Sequence, residues 1–524
     1  MARTAGSRPA FALPKNCAIV KGGRDQFWDV KFYPYLVERD DPTILAIVGS
    51  FLVLVCQLTA EESSRLRIIA TYDRDEEKQD NINSINCCTW CYVEQDDPLL
   101  AVAGETGHVQ IIKPMTGELL YTLVGHGVGT INDLATHPLY PWIIASASID
   151  GSIRIWDLRR AADRALSTCV VICGHSLAHK EGLLSISWHD CGRYLVSGGF
   201  DHKTCVWTVP DFNPQSSFWH EISKEGRKRS SDEVRIIYYP HFISAAIHAE
   251  YVDAVVFWDD FILSKAAKEH KIVLWKMTGF DSGLPPPPAS TAPKSQEHLE
   301  TRNGFMRSAR MNLDDDIFDD DDDEEGLSTM KAPFSRLLEF KNEHSTLFYM
   351  RFGLLRPNLL FPELHTVLSA GDTFSKLRHW DLERLIAGYG TEAQPPTSGV
   401  AARKSTGAPR PISKDSSASS REPSTAFSVS EDHREASTGA TSLSSEQLRL
   451  EQGQRQRNRE KYSLHDFEKG LQHHAQNDES SDFREFRVRG VAWSVCGRWC
   501  VAVGEAPIHG RGGMLQGVIQ IVER

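Results

Sequence analysis

The sequence predicts an all-β fold: a seven-bladed β-propeller interrupted by two long, largely disordered insertions. Three observations carry that reading. Residues 118–158 (ELLYTLVGHGVGTINDLATHPLYPWIIASASIDGSIRIWDL) hold three strand-like runs, broken at Gly125-His126 and Asp150-Gly151 and closed by Trp156-Asp157. An Asp-Gly turn between alternating apolar runs is a strong hairpin signal. The Gly-His pair recurs 49 positions on at Gly174-His175, and Trp156 is answered by Trp207. That spacing is close to the period of roughly 40–45 residues for a four-stranded blade. Finally, short apolar runs separated by turn residues continue to the end of the chain, as they must, since a lone blade cannot bury its faces.

Taken in order, residues 1–13 read as a flexible tail and 14–277 as blades 1 to 5. Blade 1 has the alternating strand FWDVKF (27–32), a hairpin across Gly49-Ser50 and a strand at 66–72. Blade 2 runs from Ile85 through LLAVAGETGHVQIIKP (99–114), and blade 3 contains ASASIDGSIRIWDL (145–158). The Gly-His, turn-Asp and Trp-Asp pattern of residues 118–158 is the signature of a WD-repeat blade, which blade 1 lacks. Blade 4 is GLLSISWHDCGRYLVSGGFDHKTCVWTV (182–209) and blade 5 is YVDAVVFWDDFILSKAAKEHKIVLWKM (251–277). Residues 278–332 form the first insertion, with GLPPPPASTAP and the acidic run 313–325. Blade 6 is placed at 333–382, with TLFYMRF (346–352) read as its first strand and Trp380-Asp381 near its end. Residues 383–482 form a second, disordered or partly helical insertion, and blade 7 occupies 483–524. Both insertions are rich in Pro, Ser and charge, with too little apolar surface to offset ordering entropy. Blade 7 supplies only about three strands, so the spare run 15–21 is expected to complete it and close the ring.

Composition narrows the function. The 524 residues carry a formal net charge of −12, which argues against binding DNA or an anionic membrane through bulk charge. No run is of signal-peptide or membrane-span length, so a soluble intracellular protein is expected. The 11 cysteines do not suggest a secreted disulfide framework. Cys88-x-x-Cys91 lies in a strand, where residues three apart face opposite ways, so no metal site is expected there.

His126, Asp150 and Trp156 in blade 3, and His175, Ser197, Asp201 and Trp207 in blade 4, are assigned to a hydrogen-bonded Trp–Ser–His–Asp chain that ties the strands of a blade. Residues repeated once per blade are scaffold. There is no phosphate loop, no HExxH and no GxSxG. An enzyme is therefore not expected, nor a cofactor. The expected activity is recognition.

The run INCCTWCYVEQDDPLLAVAGETGHVQIIKP, followed by LVGHGVGTINDLATHPLYPWIIASASIDGSIRIWDL, resembles the embryonic ectoderm development/extra sex combs family. These are WD-repeat subunits of Polycomb repressive complex 2. YVDAVVFWDDFILSK, IVLWK and FYMRF are similar to later family segments. The resemblance implies a non-catalytic nuclear subunit that binds a SET-domain histone methyltransferase and a zinc-finger Polycomb subunit. It also implies that the chain reads trimethyl-lysine on repressed histone H3 tails in an aromatic cage, stimulating the enzyme. It implies no membrane contact and no sequence-specific DNA binding. Carried over by position, the cage comprises Trp28, Phe348, Tyr349 and, where the family has a further aromatic, Asn86, with Arg351 beside the tail. Asn86 departs from the pattern and removes one wall. The alternative is a WD-repeat scaffold or adaptor without methyl-lysine reading, for example in a ubiquitin ligase. On local pattern alone, Phe348 and Tyr349 face opposite sides of a strand.

Overall fold

The computed structural model describes residues 16–22, 25–61, 64–73, 84–93, 98–162, 167–174, 178–222, 234–294, 301–306, 332–386, 473, 475–477, 485–508 and 514–524. The chain divides into two units, Met1–Glu392 with Arg455–Arg524, and Ala393–Gln454. The second unit and the acidic run 313–325 lie outside the described residues.

The described strands of the first unit form seven antiparallel-based sheets, the blades. Their inner strands, in order, are Phe27–Phe32, Ile85–Cys91, Ile131–Thr136, Leu183–Trp188, Val252–Trp258, Gly353–Leu355 and Arg487–Trp493. The second strands read as nearly unbroken apolar runs because both faces are covered. Leu99–Gly104, Ile143–Ser148 and Tyr194–Gly199 are buried at every position. Each of seven core clusters joins two consecutive blades. One packs Ala46, Val48 and Val55 of blade 1 on Cys88, Leu100 and Val102 of blade 2. Another packs Phe27, Leu45 and Ile47 of blade 1 on Trp499, Val501 and Ile519 of blade 7, closing the ring.

The last blade is completed from the other end of the chain. Asn16–Gly22 pairs antiparallel with Leu515–Glu523, from Asn16 opposite Glu523 to Gly22 opposite Gly517. Covering that edge removes an exposed row of backbone donors and acceptors.

Several outer strands depart from the sequence-based boundaries. Blade 4 closes with Phe242–Ser244. Blade 5 closes with Phe334–Lys341, which lies beyond the first insertion and had been assigned to blade 6. Blade 6 closes with Ala475–Asn477, inside the segment expected to be disordered. The first insertion is also partly ordered: Arg302–Asn303 adds a fifth strand to blade 4 beside Phe242–Ser244. Arg235–Ile237 adds a parallel fifth strand to blade 3. These strands are two or three residues long, or follow long loops, so periodicity does not mark them.

The repeat residues sit where the pattern placed them in blade 3. His126 Nδ1 is 2.9 Å from Asp150, His126 Nε2 is 2.7 Å from Ser146 Oγ, and Trp156 Nε1 donates to the same hydroxyl at 2.9 Å. Blade 4 requires a correction. Its chain runs Trp207–Ser197–His179–Asp201, with His179 at 2.9 Å from both Ser197 Oγ and Asp201. The role assigned to His175 is filled by His179, and His175 itself lies outside the described residues. Blade 5 carries the same device with Glu269 as the acid: Trp275 donates to Ser264, which bonds His248, which bonds Glu269.

Candidate functional site at the mouth of the ring

Six of the seven inner strands open with the same irregularity. The register against the second strand slips by one residue, leaving Trp28, Asn86, Asn132, Leu184, Asp253 and Arg489 as the extra residue. A β-bulge of this kind re-aims one side chain and frees its backbone groups from the ladder. The residues named by the resemblance on blades 1 and 2 are thus bulge residues. The bulges explain why they point where ordinary strand alternation would not put them.

At three of the six bulges, on blades 1, 3 and 4, the residue that follows locks neighbouring blades. Asp29 accepts from the backbone N–H of Cys88 on blade 2 at 3.2 Å, and Asp133 of blade 3 accepts from that of Ile186 on blade 4 at 2.9 Å. Ser185 does the same for Val255 on blade 5 at 3.2 Å.

Into this circle reaches the segment 346–352. It is not a strand: blade 6 begins only at Gly353, and Tyr349 has φ of +61°, in the left-handed region. The expectation that Phe348 and Tyr349 alternate across a strand is therefore wrong, and the bend separates them differently. Tyr349 turns inward and is 5% exposed, while Phe348 stays 52% exposed. The Tyr349 hydroxyl lies 2.6 Å from the Asn132 carbonyl and 2.9 Å from the Asn86 carbonyl, with its one proton shared between them. Those are the carbonyls of two bulge residues. Burial pushes the Tyr349 hydroxyl well above the ordinary tyrosine range, so it remains a donor.

Arg351 completes the lock. It is buried, donates to Asp133 at 2.7 Å and to Tyr349 Oη at 3.1 Å, reaches the Asn132 and Leu184 carbonyls, and has Asp29 at 3.8 Å. Burial opposes its charge, but Asp133, Tyr349 and Asp29 hold it protonated. The position expected beside a bound tail is thus occupied inward. Arg351 fixes Tyr349, with its guanidinium 4.6 Å from that ring's centroid.

Trp28 meets Tyr349 edge to face, with ring centroids 6.2 Å apart. Its indole N–H donates to Ser50 Oγ at 3.0 Å, and the Arg489 guanidinium stands 5.0 Å from its ring. Arg489 is held by Glu505 at 2.6 Å and donates to the Phe348 carbonyl at 2.8 Å, tying the first and last blades to the aromatic segment. Asn86 contributes its carbonyl, while its side-chain oxygen accepts from Ser84 Oγ at 3.1 Å. It supplies no ring. Sequence reasoning missed a continuation of the aromatic surface: Phe348 lies 6.4 Å from Phe200, and Phe200 lies 5.3 Å from Tyr251. Phe200 precedes the turn residue Asp201 and Tyr251 immediately precedes the inner strand Val252–Trp258. Both are mouth positions that repeat register alone could have flagged.

The cysteines take no part. Cys87 and Cys91 pack towards blade 3 and Cys88 towards blade 1. Burial pushes the Cys87 and Cys88 thiols well above their ordinary value and Cys91 up to about 12. Among the described residues no group of His, Cys, Asp or Glu is placed to hold a metal ion, and no helix is long and apolar enough to cross a membrane.

The WD domain, G-beta repeat family matches residues 117–157 and 171–208. The chain is 35% identical over 367 residues to "Polycomb protein EED" of Chaetomium thermophilum, covering 68% of this chain and 57% of that protein. It is 31% identical to "Polycomb protein esc" of Drosophila melanogaster, over 46% of this chain and 54% of that one. A chain of an active Polycomb repressive complex 2 in the basal state superposes with a TM-score of 0.67 at 27% identity, covering 98% of both chains. The chain belongs to the EED/esc family of Polycomb WD-repeat proteins. Its alignments span just over half the length of the EED and esc relatives named. A further chain of this fold, from Chaetomium thermophilum Polycomb repressive complex 2 solved in complex with H3K27me3, matches with a TM-score of 0.67 at 25% identity over 99% of both chains. Within the EED/esc family, this chain presents Trp28, Phe348 and Tyr349 together at one end of the ring, with Asn86 beside them as backbone only.

Proposed function

We propose that this chain is the non-catalytic WD-repeat subunit of a nuclear Polycomb complex that methylates histone H3 lysine. In that complex it holds the SET-domain methyltransferase and a zinc-finger Polycomb subunit, and it reads trimethyl-lysine at the ring's mouth. The observation that carries the reading is the Trp28–Tyr349 pair, pinned from behind by Arg351 and flanked by the half-exposed Phe348. A quaternary ammonium cannot donate a hydrogen bond, and ring faces attract it at about 0.5–2 kcal/mol each. The site offers rings whose hydroxyl and indole N–H are already satisfied by the protein, so only their aromatic surface is left for a ligand. Membership of the EED/esc family and the histone-bound relative support the same assignment.

One observation favours a second reading. Asn86 gives no ring, so the chain would serve as a scaffold or adaptor that assembles a complex without reading the mark. Affinity purification of the tagged chain with mass spectrometry separates the assignments. The proposal expects a SET-domain methyltransferase in stoichiometric yield. Recovery of a ubiquitin ligase with no methyltransferase would overturn it. In the purified complex, a trimethylated H3 peptide should stimulate methylation; basal activity without stimulation leaves the scaffold reading.

A further inference from the structure

The ordered part of the first insertion contains a feature that the ring does not need. Residues 284–288 read Leu-Pro-Pro-Pro-Pro. Each of Leu284 to Pro287 precedes a proline, which excludes the helical region, and each proline ring fixes φ near −65°. Together these restrict the run to polyproline II. Pro288 has φ −64° and ψ 146°, the values of that helix.

Both ends are anchored to the blades. Before the run, Phe280 packs edge-on against Tyr194 and Phe305 at 4.9 and 5.0 Å, and the Asp260 carboxylate accepts from the Ser282 N–H at 3.3 Å. At its end, His241 Nε2 donates to the Pro288 carbonyl at 3.2 Å, and Ala292 is buried. Burial holds His241 below the usual histidine range, which keeps it neutral. Downstream, Asn303 bridges the two roots of the insertion by donating to the carbonyls of Thr278 and Pro333 at 2.8 and 2.7 Å.

Exposure repeats with the three-residue turn at Pro285 and Pro288, though not at Leu284 and Pro287. Pro285 and Pro288 are exposed, Pro286 and Pro287 are half-buried, and Leu284 is 48% exposed. With three residues per turn and a rise of about 3.1 Å, Pro285 and Pro288 lie on one edge roughly 9 Å apart. Two exposed prolines in register, beside an exposed Leu on a neighbouring edge and held on a rigid support, match what aromatic-lined grooves recognise. The ordering entropy that normally weakens such binding is already met by the fold.

We propose that Leu284–Pro288 is a preformed polyproline ligand for a partner domain with an aromatic-lined groove. Asp260 follows the inner strand Val252–Trp258, at the end opposite Tyr251, so this surface is separate from the mouth. The test titrates the full chain into isotope-labelled SH3, WW and EVH1-type domains and follows the resonances of the groove aromatics. At least one class should show saturable shifts confined to its groove. The double variant Pro285→Ala/Pro288→Ala should weaken that binding by about tenfold or more, with thermal unfolding unchanged. No groove shifts in any of the three classes, or a double variant that binds as well as wild type, would overturn the proposal.

Discussion

Tyr349 serves two ends with two parts of one side chain, and substitution can separate them. The ring is the proposed cage wall; the hydroxyl holds the ring in place through the carbonyls of Asn86 and Asn132 and receives Arg351. Tyr349→Phe keeps the wall and removes the anchor. Arg351 still reaches the Asn132 carbonyl, but the Asn86 carbonyl is left without that partner, so the stability cost should be about 1–3 kcal/mol. Affinity for a trimethyl-lysine H3 peptide should then change by less than about threefold, because the ammonium sees the same ring face. Tyr349→Ala removes the wall as well. One ring is worth about 0.5–2 kcal/mol, which is roughly 2–30-fold in dissociation constant. The left-handed backbone at position 349 is equally costly for Tyr, Phe and Ala, so the comparison isolates the side chain. Calorimetric peptide titration with parallel denaturant unfolding measures both quantities. If Tyr349→Phe weakened the peptide as much as Tyr349→Ala, the hydroxyl network would carry recognition. If neither weakened it, Tyr349 would not be a wall.

Arg351→Met leaves the buried Asp133 without its cation, while Asp29 keeps Lys31 at 3.5 Å, and should cost about 3–5 kcal/mol in urea unfolding; a loss under 1 kcal/mol would contradict the locking role of Arg351. Asn86→Tyr restores a ring at the mouth while keeping the backbone carbonyl, and should tighten the trimethylated peptide by up to about tenfold, measured by the same titration. His137 donates from Nε2 to the Gly192 carbonyl at 3.1 Å and accepts at Nδ1 from the N–H groups of Leu139 and Tyr140. Burial lowers its pKa from 6.5 to about 4, so the unfolded chain takes up the proton first. Stability should therefore fall as pH drops from about 6.5 towards 4, by about 3 kcal/mol for this group. A His137→Phe variant should lack that part of the slope in unfolding titrations.

Blades 3 and 4 were legible because their turn, Gly-His and Trp residues are bonded to one another, so local chemistry leaves a sequence trace. The same logic could not choose between His175 and His179. In blade 3 the bonded His and Asp are 24 residues apart; in blade 4 His179 is 22 from Asp201 and His175 is 26, so spacing brackets the answer evenly. Ala475–Asn477 was invisible because a strand of three residues is too short to impose a period on the sequence. Tyr349 was misread as a strand residue because its conformation is set by distant partners, the carbonyls of bulges on blades 2 and 3. No local window contains that information. Trp28 and Phe348 were assigned to the site through family resemblance alone, since an aromatic residue near a strand start is ordinarily packing.

The central claim is that the mouth recognises methylation itself. The direct measurement is the dissociation constant of a lysine-trimethylated histone H3 peptide against the same peptide unmethylated, for wild type and Trp28→Ala. The account predicts a preference of about tenfold or more for the methylated peptide in wild type, as expected of two or three desolvated rings, and its collapse in Trp28→Ala. Equal affinity for the two peptides in wild type would contradict it.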